Sequence, residues 1–189
     1  MTPLRRLLLS LAVVALAQTA VLAGMVADRT QLLRAGREIV LPVVPVDPRD
    51  LFRGEYVRLG YDIGRVPTRL LDGPAPARNA AFYVVLERKA DGAWSPVKVS
   101  AAMPAETSPE RIVLKGRTMH GGPFDDGGGT AWVRYGIESY FVPEGRGLEL
   151  EKLARDRRIS TLVAVDSGGN AAIKGLLIDG QLQYEKPLF

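Results

Sequence analysis

The feature that most constrains this chain is an apolar run near its start. Leu7 to Ala27 is 21 residues long and is interrupted only by Ser10, Gln18 and Thr19. A helix rises about 1.5 Å per residue, so a run of this length matches the ~30 Å hydrocarbon core of a bilayer. Arg5 and Arg6 stand before it. A cleaved signal peptide is the rival to an uncleaved anchor, because Ala15-Leu16-Ala17 and Val21-Leu22-Ala23 resemble small-residue cleavage sites. The run continues past both sites, which favours the anchor. The positive-inside signal is mixed, since Arg29, Arg34 and Arg37 lie close on the far side. The very short tail before the run and the folded body after it favour an N-terminus inside, with the body outside the cytoplasm on the periplasmic side. Val26 to Ala35 continues the helix out of the membrane, and Gly36 stops it. The expected units are residues 1–35, an anchor or signal peptide with its helical extension, and residues 36–189, an extracytoplasmic β-rich domain.

Charge is placed unevenly. Met1 to Arg37 holds five arginines and one acid, Asp28, a net of +4, out of 25 basic and 21 acidic residues in all. Subtraction leaves 20 basic and 20 acidic residues, so the body is neutral. A neutral body has no electrostatic footprint for phosphate, and nucleic acid is excluded as a partner. The positive arm suits anionic lipid headgroups instead. The absence of cysteine removes thiol catalysis, cysteine-ligated metal and any disulfide framework.

The body reads as strands. Glu38 to Val46 is apolar and β-branched. Arg65 to Pro76 is a connection rich in turn formers. Ala80 to Arg88 is a strand, and Asp91-Gly92 turns the chain into Trp94 to Ala102. Arg111 to Met119 follows. Thr130 to Val142 reads as one strand or two, Ile159 to Val165 and Ala171 to Ile178 are joined by D-S-G-G-N, and Asp179-Gly180 turns into Gln181 to Tyr184. Leu148 to Arg158 is the only helical pattern, with Leu148, Leu150, Leu153 and Ala154 on one side. The fold class is mainly β (α+β): an N-terminal transmembrane helix, then one antiparallel β-sandwich or partly closed barrel with one short helix.

The densest stretch is V-D-P-R-D-L-F-R-G-E-Y-V-R-L-G-Y, Val46 to Tyr61. Asp47 precedes Pro48 and suits the N-cap of a short turn, Asp50 falls in the first turn, and Gly54 ends it. Alternation then places Val57, Leu59, Tyr61 and Ile63 on one face and Tyr56, Arg58, Gly60 and Asp62 on the other, the pattern of a half-buried strand. G-E-Y-V-R-L-G-Y, Gly54 to Tyr61, resembles the signature of the GDYXXLXY family: Gly54, Tyr56, Leu59 and Tyr61 match, and Glu55 replaces the usual Asp. Pro45 to Arg53, Tyr140 to Gly145 and Ile173 to Gly180 also resemble that family, as does the N-terminal apolar segment. The resemblance implies a membrane-anchored protein of uncharacterised activity and supplies no catalytic residue.

Each chemical candidate has a plainer reading. Asp47, Asp50 and Glu55 together suit a divalent cation or acid–base work. Capping by Asp47 and pairing of Arg49 and Arg53 with neighbouring carboxylates explains them more simply. His120, the single histidine, cannot build a multi-histidine zinc site. Gly121 to Gly129 lacks the layout of a phosphate-binding loop. Glu138, Glu144, Glu149 and Glu151 read as a solvated face. Tyr61, Tyr83, Trp132, Tyr135, Tyr140 and Phe141 read as core, whereas Tyr56 with Arg58 suits a recognition patch. The expectation is a tethered, non-enzymatic module with no cofactor, binding the membrane through its helix and an integral membrane protein as partner. The alternative is a hydrolase or metal-dependent enzyme using Asp47, Asp50 and Glu55.

Overall fold

The computed structural model describes residues 3–45, 56–77, 80–106, 108–118, 129–141 and 147–185. Helix α1 runs from Pro3 to Ala35. It is the one described helix long and apolar enough to cross a membrane, and none of its apolar window is buried against the protein. Gly36 ends it, its N–H donating to the Leu32 carbonyl at 3.0 Å. Only the last turns touch the body. Leu32 and Leu33 are buried against Ala164 and Ala172.

Eleven strands and one further helix follow among the described residues: β1 (Arg37–Pro42), β2 (Tyr56–Arg58), β3 (Arg65–Pro67), β4 (Phe82–Arg88), β5 (Trp94–Ser100), β6 (Arg111–Thr118), β7 (Thr130–Arg134), β8 (Ser139–Phe141), α2 (Gly147–Arg155), β9 (Ile159–Val165), β10 (Ala171–Ile178) and β11 (Gln181–Glu185). They form a four-stranded sheet β1-β9-β10-β11, a five-stranded sheet β3-β7-β6-β4-β5 and a ribbon β2-β8. Every ladder in them is antiparallel. None of these sheets closes on itself. Ile39, Leu41, Ile159 and Val163 of the first sheet share one core with Phe82, Val84, Leu86, Val99 and Leu114 of the second, the arrangement of a sandwich rather than a barrel. Leu150 of α2 is buried in the same core.

The two sheets are also joined by backbone. The turn between β9 and β10 is shaped by Asp166, whose Oδ1 accepts from the N–H groups of Gly168 at 2.9 Å and Asn170 at 2.8 Å. Gly169, at φ +79, then accepts from the N–H of Lys115 at 2.8 Å. β6 pairs with β7 only at Arg117 and Thr118, so this turn takes up part of the β6 edge left open.

The sequence reading differs from this fold at the end of β1, in the connection after Arg65 and at the end of α2, which stops at Arg155 and not at Arg158. Strand β1 ends at Pro42, short of Val46; beyond it the Val43 N–H still donates to the Ile159 carbonyl at 3.0 Å, and Val44 then turns to an isolated bridge with Gly60, away from β9. The connection after Arg65 holds β3, flanked by 3₁₀ turns at Asp62–Gly64 and Thr68–Leu70. Of the two readings left open for the aromatic stretch from Thr130, the fold has the second: two strands, β7 and β8, separated by a turn with Gly136 at φ +81.

Gly36 is where the helix meets the body. A Cβ there would lie 2.5 Å from the Leu32 carbonyl oxygen, 3.0 Å from the Val165 nitrogen and 3.1 Å from the Ala164 Cβ. Two of these three neighbours are backbone and cannot rotate away. Gly36→Ala is expected to cost about 1–3 kcal/mol through overpacking, read as a lower thermal midpoint of the full chain in detergent, with faster proteolysis at the junction.

Candidate functional site

The signature segment is built into the centre of the body. Tyr56, Val57 and Arg58 of β2 pair with Phe141, Tyr140 and Ser139 of β8. The Leu59 N–H donates to the Glu138 carbonyl at 3.0 Å, and the Val44 N–H donates to the Gly60 carbonyl at 3.0 Å. The alternation read from sequence holds: Val57, Leu59, Tyr61 and Ile63 are buried, and Arg58 and Asp62 are exposed. The ladder itself is shorter than the alternation, because the chain turns at Asp62–Gly64.

Two tyrosines lock this segment reciprocally. The Tyr61 hydroxyl donates to the Ile137 carbonyl at 2.9 Å, and the Tyr135 hydroxyl donates to the Ile63 carbonyl at 2.8 Å. Each phenol therefore satisfies a buried carbonyl on the other's segment. Glu138 shapes the turn between them, its carboxylate accepting from the N–H groups of Tyr135 at 2.6 Å and Gly136 at 3.0 Å. Glu138 is thus a turn cap, not part of a solvated acidic face. Burial pushes both phenols well above their ordinary value, and the Glu138 charge adds to it; at Tyr61 a hydrogen bond with Thr161 pulls the other way. The phenols stay neutral at physiological pH and serve as structural donors, not as proton-transfer groups.

Of the signature residues, Leu59 and Tyr61 are core, Arg58 is exposed, and Tyr56 is a strand residue. Asp47, Pro48, Arg49, Asp50, Arg53, Gly54 and Glu55 lie outside the described residues, as do His120 and the glycine loop up to Gly128. Among the described residues no three of His, Asp and Glu converge on a metal position. The aromatic reading needs correction at three places: Tyr83 is only half-buried and outside the core, and two further residues face outward. Tyr61, Tyr135 and Tyr140 are buried, but Trp132 is 53% exposed and Phe141 70% exposed. Both sit on the outward side of strands whose neighbouring residues point inward.

A cleft of about 650 Å³ lies where α1 meets the body, with Asp28, Gln31, Arg37, Glu106, Arg111 and Asp166 in its wall. Arg37 was expected to face lipid headgroups. Instead its guanidinium donates to the carbonyl of Arg111 at 2.6 Å and to that of Pro109, and lies 5.8 Å from the Trp94 ring centroid. Arg111 in turn pairs with Glu87 at 2.8 Å and Glu106 at 3.4 Å. Sequence shows no sign of the Arg37 contacts, because the two carbonyls it reaches lie 74 and 72 positions away.

Two measurements test these assignments. Leu59→Ala is expected to cost roughly 2–5 kcal/mol through lost burial and a cavity, measured by denaturant unfolding. The tyrosines set an alkaline limit. Their pKa is raised on folding from the ordinary 10.0, so the unfolded chain loses these protons first and their contribution, complete below pH 10, falls as pH rises. Stability is expected to decline above about pH 10 by up to ~1.4 kcal/mol per pH unit for each tyrosine. Tyr61→Phe and Tyr135→Phe each remove one such contribution and leave a buried carbonyl unpaired, at a cost near neutral pH of about 1–3 kcal/mol.

A family model described as GDYXXLXY protein matches residues 18–176. No curated protein and no solved structure matches the chain.

Proposed function

We propose, from the premise that this chain belongs to the GDYXXLXY family, that it is a membrane-tethered accessory module whose β-sandwich lies on the periplasmic side and binds an integral membrane protein. The observation that carries this reading is the continuity of α1. One unbroken helix runs from an apolar window with no protein cover into a last turn packed on β9 and β10. Cleavage after Ala17 or Ala23 would leave Met25 and Val26 exposed to water on a short stub, at 64% and 61% exposure. Burial in lipid removes that penalty. Gln18, near the middle of the run, carries an amide whose hydrogen-bonding atoms lipid cannot satisfy. A neighbouring transmembrane helix supplies the partner such a group favours.

The absence of native cysteine permits a clean test. The full chain carrying Leu22→Cys, one turn from Gln18 on the same helix face, labelled with a photoreactive maleimide, is expected to cross-link in membranes to an integral membrane protein and to keep its N-terminal residues by mass spectrometry. A mature N-terminus at Gln18 or Gly24, with the protein in the soluble fraction, would defeat the tether. Retention of the N-terminus without any cross-linked product from positions around the helix would defeat the partner.

A further inference from the structure

The outer face of the five-stranded sheet carries a charge arrangement that folding alone does not explain. Arg65 of β3 lies directly opposite Trp132 of β7, with its guanidinium 5.1 Å from the indole centroid. Arg134 is two residues along β7 from Trp132 and so shares its face. Arg117 of β6 lies directly opposite Arg134. All four side chains are exposed. Like charges placed directly across a ladder destabilise it. Among the described residues no carboxylate forms an ion pair with these three arginines. Asp62, in the turn leading into β3, is exposed and makes no ion pair with them either. The body is neutral as a whole, with 20 basic and 20 acidic residues beyond Arg37, so this local excess is not a by-product of a basic domain.

We infer that Arg65, Arg117, Trp132 and Arg134 form a docking surface for an acidic segment of a protein partner. The inference deepens the accessory-module reading and rests on it for the partner's location. Charge complementarity selects the occupant. Arginine forks bind carboxylates in pairs of parallel hydrogen bonds, and tryptophan and arginine are the residues most enriched at the energetic centres of interfaces. The cation–π contact holds Arg65 flat on the indole and lowers the ordering cost of both. Phosphatidylcholine carries no net charge, so a nanodisc made of it does not compete for the arginines.

The test uses the full chain in nanodiscs of phosphatidylcholine. The probe is a fluorescein-labelled peptide of about 12 residues, rich in Glu and Asp with a central Tyr, and a counterpart with Lys in place of each acid. The acidic peptide is expected to bind, more weakly as salt rises, and the basic peptide not to bind. Trp132→Ala and Arg65→Ala are each expected to weaken binding about tenfold or more, and R117E with R134E to abolish it. These residues are exposed, so thermal midpoints near wild type confirm intact folding. Acidic-peptide binding unchanged in these variants, or absent in wild type, would overturn the docking surface. So would binding of phosphatidylglycerol vesicles, or self-association by sedimentation, that the same substitutions remove. Failure here with the Leu22→Cys cross-link intact would leave the membrane partner standing and remove only this surface.

Discussion

Strand β9 is buried on both faces at its Val165 end, and the arrangement of the whole chain depends on that. Val163, Ala164 and Val165 are consecutive and all buried, although successive strand residues point to opposite sides. Val163 and Val165 face the sandwich core. Ala164 faces Leu32 and Leu33. Its small side chain, with Ala172 beside it on β10, lets a helix backbone approach the sheet closely. Gly36 completes the approach, because any side chain there would collide with the helix's own carbonyl and with β9. Arg37 then ties the next residue to the start of β6. The last turn of the apolar helix is therefore packed on the sandwich at Leu32, Leu33 and Gly36.

Much of this was written locally in the sequence. The end of α1 at Gly36, the limits of β9 and β10, the Asp91-Gly92 turn and the buried side of the signature segment all follow from periodicity and turn residues acting over a few positions. What was not legible depends on partners far away in the chain. Nothing near Arg37 announces Pro109 or Trp94. Glu138 reads as one acid in an acidic run until the turn places two N–H groups on its carboxylate. Trp132 reads as core by residue type, and only the register of β7 against β3 turns it outward. β3 and its flanking 3₁₀ turns are too short for any period to register.

The signature acquires a physical meaning here. Leu59 and Tyr61 hold one segment against another that also carries familial residues, since Tyr140 of β8 pairs with Val57 of β2. Ile173 and Leu176 of the third familial segment lie in the same core. The described part of the signature thus serves packing and the pairing of buried carbonyls.

The close packing at Gly36 couples the direction of the helix to that of the sandwich. A transmembrane helix answers a change in bilayer thickness by tilting. Were the junction flexible, tilt would stop at the membrane surface. With the junction packed on both sides, a tilt of about 10° displaces a point ~20 Å beyond it by about 3–4 Å, since strand length fixes the arm. That distance is comparable to a hydrogen bond, enough to make or break contacts at Arg117 and Arg134. On the tethered reading proposed above, membrane thickness would become a mechanical input to the outer sheet.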